Sequence, residues 1–198
     1  MQPSRATHPA YIAAFTELVQ RIAAPLSELP KRSLPIRMFV AGGAALHFYT
    51  GERISNDVDA VFSKRIVLPS DLEVAYRDPD GAARLLYFDR QYNDTLGLMH
   101  EDAYDDSIPL ALKVLDASVL DVRLLAALDL AVSKISRFSS QDREDITALA
   151  KHGLIKSAAL RHRAEQAMQN YVGNLDTLKG ALNLACRIVE DAEQRKPR

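Results

Sequence analysis

Apolar side chains recur at helical spacing over residues 11–29, where Ile12, Phe15, Leu18, Val19 and Ile22 share one stripe. That spacing predicts an amphipathic helix ending near Pro25 or Pro30. Residues 36–41 form a short apolar run that stops at Gly42-Gly43, which predicts a buried strand. Residues 43–49 read as a short helix stopped at Thr50-Gly51, and 58–62 as the next strand. Residues 72–76, 83–92 and 96–99 carry strand character, and the Pro79-Asp80-Gly81-Ala82 stretch predicts a hairpin between the first two. Residues 120–124 read as one more strand. Beyond Ala126 the period changes to helical, with helices predicted over 128–138, from Ser139 or Ser140 to His152 with Gly153 as the stop, from Ser157 onward, and over 175–192. The closing QRKPR is expected to fray.

This order predicts an α+β fold. A small mixed β-sheet core with an N-terminal helix occupies residues 1–125, and a helical subdomain occupies 126–198. Hydrophobic residues make up 47% of the 198 positions and charged residues 26%, which is enough apolar material for a core and typical of soluble domains. A net charge of -1 gives no global field toward nucleic acid or anionic lipid, so any such contact is local. Cys186 is the only cysteine, which excludes an internal disulfide and suits a reducing compartment. The first fifteen residues have no apolar signal core, and no run approaches the roughly 18 apolar residues of a membrane span. A cytoplasmic protein without a membrane partner is expected.

The chemistry concentrates in VAGGAALHFYTGERISNDVDAVF, residues 40–62. Asp57 and Asp59 flank Val58, and residues two apart on a strand face the same side. Their Cα atoms would lie roughly 6.6 Å apart. At an effective dielectric of about 20, like charges at about 6 Å repel by about 3 kcal/mol. Exposure to water offsets that repulsion in one reading. A divalent cation offsets it in the other, since carboxylate oxygens are hard ligands suited to Mg²⁺ or Mn²⁺. The glycines add a second feature: a strand, a tight turn and a helix start expose backbone N–H groups to which a phosphate can come close. A phosphate cradle beside a carboxylate pair is what metal-assisted attack on a nucleoside triphosphate (NTP) requires.

Gly42-Gly43 followed by Arg53, Ser55, Asp57 and Asp59 resembles the signature of the nucleotidyltransferase (DNA polymerase beta-like) superfamily, and within it the AbiEii-like and DUF6036-type bacterial nucleotidyltransferases. The latter also carry a lysine-containing helix followed by an R…D…D segment. Here Leu128 to Lys134 is followed by Arg137, Asp142 and Asp145. The resemblance spans about residues 39–149. It implies Mg²⁺-dependent transfer of a nucleoside monophosphate from NTP to an RNA, protein or small-molecule acceptor, and for some relatives a toxin role with an antitoxin partner. It further implies Gly42, Gly43, Arg53, Ser55, Lys134 and Arg137 as nucleotide-binding residues, with Asp142 and Asp145 in support. Active relatives often have a third metal-binding carboxylate. Asp89 in LLYFDRQY is the first choice and Asp121 in VLDVRLL the second.

Each of these residues also has a structural reading. Lys134 and Arg137 can seat a triphosphate as exposed cations, or pair with Asp145 and Asp142. Ser139-x-x-Asp142 resembles a capping box. Ser55 can bind phosphate or make a turn. His8, His47, His100, His152 and His162 show no zinc-ligand spacing. The acidic run over 100–106 reads as a solvated loop or a cation site. Tyr87, Phe88, Tyr92 and Tyr104 can stack on a base or fill the core. Lys151, Lys156, Arg161, His162 and Arg163 form a solvated helix face or guide an RNA acceptor. The rival to the enzyme is a catalytically inactive nucleotide-binding or protein-interaction module on the same fold.

Overall fold

Helix α1 (Pro9–Leu26) buries Phe15, Leu18, Val19 and Ile22 as its spacing predicts, but Tyr11 is the buried residue of the first turn and Ile12 is only half-buried. Strand β1 (Ile36–Val40) follows and runs into helix α2 (Gly42–Thr50), which ends at Gly51 with φ of 72°. The computed structural model describes residues 1–4, 6–93 and 97–195. It confirms the α+β class: six helices, α1 to α6, and two small sheets among the described residues.

The remaining strands are β2 (Asp57–Val58), β3 (Ala60–Phe62), β4 (Glu73–Arg77), β5 (Ala83–Phe88), β6 (Ile108–Pro109) and β7 (Leu120–Leu124). One sheet has the order β3-β1-β7-β6, with β1 parallel to β7 and antiparallel to β3. The other has the order β2-β5-β4, with β2 parallel to β5. The predicted strand over 58–62 is thus two strands. Val58 O accepts from Asp89 N in one sheet, while Asp59 O accepts from Ala41 N in the other. The extended segment changes sheets at Asp59 because its two halves bond to different neighbours. The predicted hairpin is present between β4 and β5, and the Asp78 carboxylate accepts from Asp80 N and Ala82 N to hold its turn. The predicted strand over 96–99 begins outside the described residues, and Gly97, Leu98 and Met99 form none. Lys196, Pro197 and Arg198 of the expected frayed tail also lie outside them.

The chain divides into two units. Met1–Tyr92 and Ser107–Leu124 form the first, and Asn93–Asp106 and Leu125–Arg198 the second. In the first, α1 packs on β4 and β5, and Phe15 meets Phe48 edge-on at 4.8 Å between ring centres. The second holds α3 (Ala127–Ser133), α4 (Ser140–Lys151), α5 (Ser157–Met168) and α6 (Leu175–Gln194), around Leu130, Ile146, Leu149, Leu160, Leu182 and Val189. The helix predicted over 128–138 ends five residues early. Ile135 N and Phe138 N return to Val132 O and Lys134 O, and Phe138 takes φ of 45° before Ser139 caps α4. No helix among the described residues is long and apolar enough to cross a membrane.

Candidate active site

Strand β1 is apolar and buried to its end at Val40, so it delivers the turn that follows to a fixed place. Gly42 opens α2 with φ of 56°, a left-handed conformation that favours glycine. A Cβ on Gly42 would stand 1.9 Å from Asp59 Oδ2. One on Gly43 would stand 2.5 Å from Ser55 Oγ and 2.7 Å from Arg53 Nη2. The two glycines are therefore the floor on which Asp59, Ser55 and Arg53 rest. Ser55, itself buried, donates its hydroxyl to Asp57 Oδ1 in a short hydrogen bond. Asp57 and Asp59 are half-buried on either side of the fully buried Val58. Six residues singled out by the sequence thus converge: Gly42, Gly43, Arg53, Ser55, Asp57 and Asp59.

Gly42→Ala is expected to destabilise the protein by about 1–2 kcal/mol through its positive φ alone. The added methyl also displaces the Asp59 carboxylate. Melting and metal-dependent NTP binding should both fall. A variant with both unchanged would mean that the turn is not held against Asp59.

Asp89 stands just past β5. The β2–β5 register pairs Asp57 with Tyr87 and Val58 with Phe88, and Asp89 N donates to Val58 O. That bond places Asp89 directly after the last β2–β5 pair. Its carboxylate accepts from Gln91 N at 2.8 Å. Among the described residues, no three acidic, histidine or cysteine side chains gather as a ready metal-ligand set. Asp121 lies opposite Arg37 on the β1–β7 ladder, while Val40 is opposite Leu124. It therefore sits roughly 10 Å back along the sheet from Val40, where β1 ends, and Arg123 holds its carboxylate at 3.1 Å.

Behind the aspartates lies a buried polar group that the sequence hid within core patterns. Tyr11 and His47 are buried with ring centres 4.5 Å apart, and Tyr76 is 6.0 Å from Tyr11. Burial drives the Tyr11 phenol far above its ordinary range; Tyr76, Asp57 and Asp59 add to that, and Arg53 opposes it. Burial likewise lowers the His47 imidazole, against the Glu52 carbonyl that its Nδ1 meets at 2.7 Å. Both groups are neutral at pH 7. Nothing in α1 except Tyr11 itself, a polar-tipped ring on an apolar stripe, marked this cluster.

The residues of the second motif lie in the helical unit. Of the two readings of Lys134, exposed cation or ion pair, the structure shows the pair: the side chain is 6% exposed, with Nζ 2.5 Å from Asp145 Oδ2 and 3.9 Å from Asp142 Oδ1. A lysine with so little water needs an anion, and Asp145 supplies one across the tight turn that ends α3. Arg137 forks onto Asp142 through Nε at 2.8 Å and Nη2 at 2.7 Å. Ser139 and Asp142 form the anticipated capping box. Arg163, grouped by sequence with a basic patch, forks onto buried Asp129 at 2.7 and 3.0 Å and also bonds Asp106 at 2.6 Å. Asp106 thus ties the end of the acidic run to α5. Arg161 bonds Asn183 at 3.0 Å.

Burial alone would raise the Asp142 carboxyl, but bonds from Arg137 and from the Ser139 hydroxyl and backbone overcome this and lower it from 3.8 to about 2. A depressed carboxylate contributes stability that is full above its unfolded value and fades as pH falls through the folded one. Stability should therefore drop between about pH 4 and pH 2, by roughly 2 kcal/mol from this group. In Arg137→Ala the folded value moves back toward the unfolded one, so the acid-dependent loss should be smaller and complete at higher pH. Acid titration followed by circular dichroism checks both; identical curves for the two proteins would remove Arg137 as the cause.

One comparison bears on what this arrangement serves. The family described as nucleotidyltransferase of unknown function (DUF6036) matches residues 17–187. The chain belongs to this family. The match contains the glycine turn, the Asp57–Asp59 pair and the Lys134–Asp145 segment, so this DUF6036 nucleotidyltransferase carries both motifs within the family's own bounds. Comparison with curated proteins and with solved structures gives no match.

Proposed function

We propose that this DUF6036 protein moves a nucleoside monophosphate from NTP to an acceptor hydroxyl in a metal-dependent reaction. The observation that carries the reading is the packing of Gly42 directly on Asp59, with Ser55 joining Gly43 to Asp57. Asp57 and Asp59 would hold Mg²⁺ or Mn²⁺, with Asp89 offered from the adjacent strand as the third carboxylate. Two half-buried carboxylates at the end of a rigid strand suit a hard cation. Such an ion, when bound, polarises phosphoryl oxygens and screens their charge.

The chain's own residues have separable tasks. Ser55 fixes the Asp57 rotamer, so the carboxylate meets its ligand without reorganising. Gly42 and Gly43 admit a phosphate close to the backbone at the start of α2, where N–H groups lack intrahelical partners. Arg53, whose guanidinium lies on Gly43, supplies charge to the same phosphates. Neutral Tyr11 lies near enough to feel both aspartates and adds no charge to them. In the transfer, the acceptor oxygen bonds to the α-phosphorus, the bond to the bridging oxygen breaks, and pyrophosphate leaves. Lys134 and Arg137 take a structural role in this proposal, because Asp145 and Asp142 hold their charges.

The acceptor class is an RNA, protein or small-molecule hydroxyl. The resemblance extends the proposal to a cytoplasmic toxin with an antitoxin partner. A second reading is an inactive nucleotide-binding or interaction module, since no third ligand joins Asp57 and Asp59 in a set of three among the described residues. Incubation with each α-labelled NTP and Mg²⁺, with total RNA or total protein as acceptor, separates the two. Label on one acceptor supports transfer; Mg²⁺-dependent NTP binding with no transfer to any acceptor supports the module.

A further inference from the structure

The β2-β5-β4 sheet has two unlike faces. Val58, Leu86, Phe88 and Val74 are buried on one. The β4–β5 register pairs Glu73 with Tyr87 and Ala75 with Leu85 on the other, and the β2–β5 register brings Asp57 next to Tyr87. Adjacent strands lie about 4.8 Å apart. Along one level of the sheet the order is therefore Asp57, Tyr87, Glu73. Tyr87 is 40% exposed and Leu85 44% exposed, although aromatic and aliphatic strand residues usually pack inward. At the same end of the sheet a cavity of about 440 Å³ is lined by Tyr87, Glu73, Asp89, Arg90, Gln91 and Ser70, and Leu72 and Phe88 also border it.

The size lies within the range of small-ligand sites, about 300–1,000 Å³. Its chemistry is selective. An exposed phenol ring offers a flat stacking surface. Glu73 accepts hydrogen bonds, Gln91 both donates and accepts, Asp89 adds negative charge at the border while accepting from Gln91 N, and Arg90 is occupied by Pro69 O and Ser70 O. Two carboxylates with one engaged arginine disfavour a phosphate. They favour a flat, uncharged ring whose edge carries amino groups. We propose that this cavity holds a nucleobase, stacked on Tyr87, one strand from the Asp57 carboxylate. The inference rests on the nucleotidyl-transfer reading for its purpose, but its binding chemistry is independent of metal. The base can belong to the incoming NTP or to the end of an RNA acceptor.

The test measures binding of the free nucleosides adenosine, cytidine, guanosine and uridine to the full chain in EDTA, by equilibrium dialysis. Saturable binding of at least one is expected, with adenosine, cytidine or guanosine preferred to uridine because uridine lacks an exocyclic amine. Tyr87→Ala should weaken it by roughly 5- to 100-fold, while Tyr87→Phe, which keeps the ring, stays within about twofold of the wild type. Tyr87→Phe, which keeps the ring and its packing, should melt with the wild type, and Tyr87 lies outside the buried core, so Tyr87→Ala should remain folded. Absence of saturable binding, or equal binding by Tyr87→Ala, overturns the proposal even if Mg²⁺-dependent transfer is observed. Nucleoside binding without transfer leaves the cavity assigned and overturns only the catalytic reading. Where transfer occurs, a rise in KM for NTP alone in Tyr87→Ala assigns the base to the donor, and a rise in KM for RNA alone assigns it to the acceptor. No rise in either overturns the assignment of the cavity to the reaction.

Discussion

Asp57→Asn is expected to lower nucleotidyl transfer by at least about 100-fold, equivalent to about 2.7 kcal/mol of transition-state stabilisation. The substitution keeps the shape of the side chain and an oxygen that can accept from Ser55 Oγ. It removes the negative charge, and with it a hard anionic ligand whose contribution to a bound cation is of the order of several kcal/mol. Folding should not suffer. The change relieves repulsion between Asp57 and Asp59, so Tm should hold or rise. The combination of lost activity and retained stability identifies Asp57 as part of the chemistry, whereas a core residue would lose both. Transfer within tenfold of the wild type, at an unchanged Mg²⁺ requirement, would sink the metal assignment.

Asp57 was legible because its signal is local. A glycine pair after an apolar run and two aspartates around a valine are visible within 23 residues, joined by α2 and the connection over 51–56. The same holds for the Ser139 capping box and the Asp78–Ala82 turn, where each partner lies within four residues of the other. What could not be read depends on partners distant in sequence. The division of residues 57–62 at Asp59 follows from hydrogen bonds to Ala41 on one side and Asp89 on the other. The exposure of Tyr87 is set by a register with Asp57 thirty positions away, which puts it on the outer face while its neighbour Phe88 turns inward. Tyr11 and His47 sit on helical stripes that would look the same if they were plain core residues. Helical periodicity likewise carried the predicted helix through Lys134 to 138, because Ile135 is apolar and buried. The chain turns there instead, and the turn lets Lys134 meet Asp145.

Lys134 is where that difference has its largest consequence. Removing one partner from a buried ion pair leaves the other as an uncompensated charge, at a cost of about 3–5 kcal/mol. Lys134→Met keeps most of the stem volume and deletes the charge, so the cost should come from stranded Asp145 and not from a cavity. For a chain of this size each kcal/mol shifts Tm by about 2–4 °C, so a fall of roughly 6–20 °C is expected. The double variant Lys134→Met/Asp145→Leu removes both charges and should recover most of the loss, as replacement of a buried pair by apolar residues often does. A cycle built on the two single variants and the double gives the coupling directly. Binding of NTP, measured on the same proteins below their melting temperatures, addresses the phosphate-binding role that the resemblance implies. If Lys134→Met melts with the wild type and loses NTP affinity tenfold or more, the ammonium group serves the nucleotide and the Asp145 pair is secondary. If stability falls, the double variant restores it, and NTP affinity is unchanged throughout, Lys134 is the electrostatic anchor that holds the end of α3 to α4.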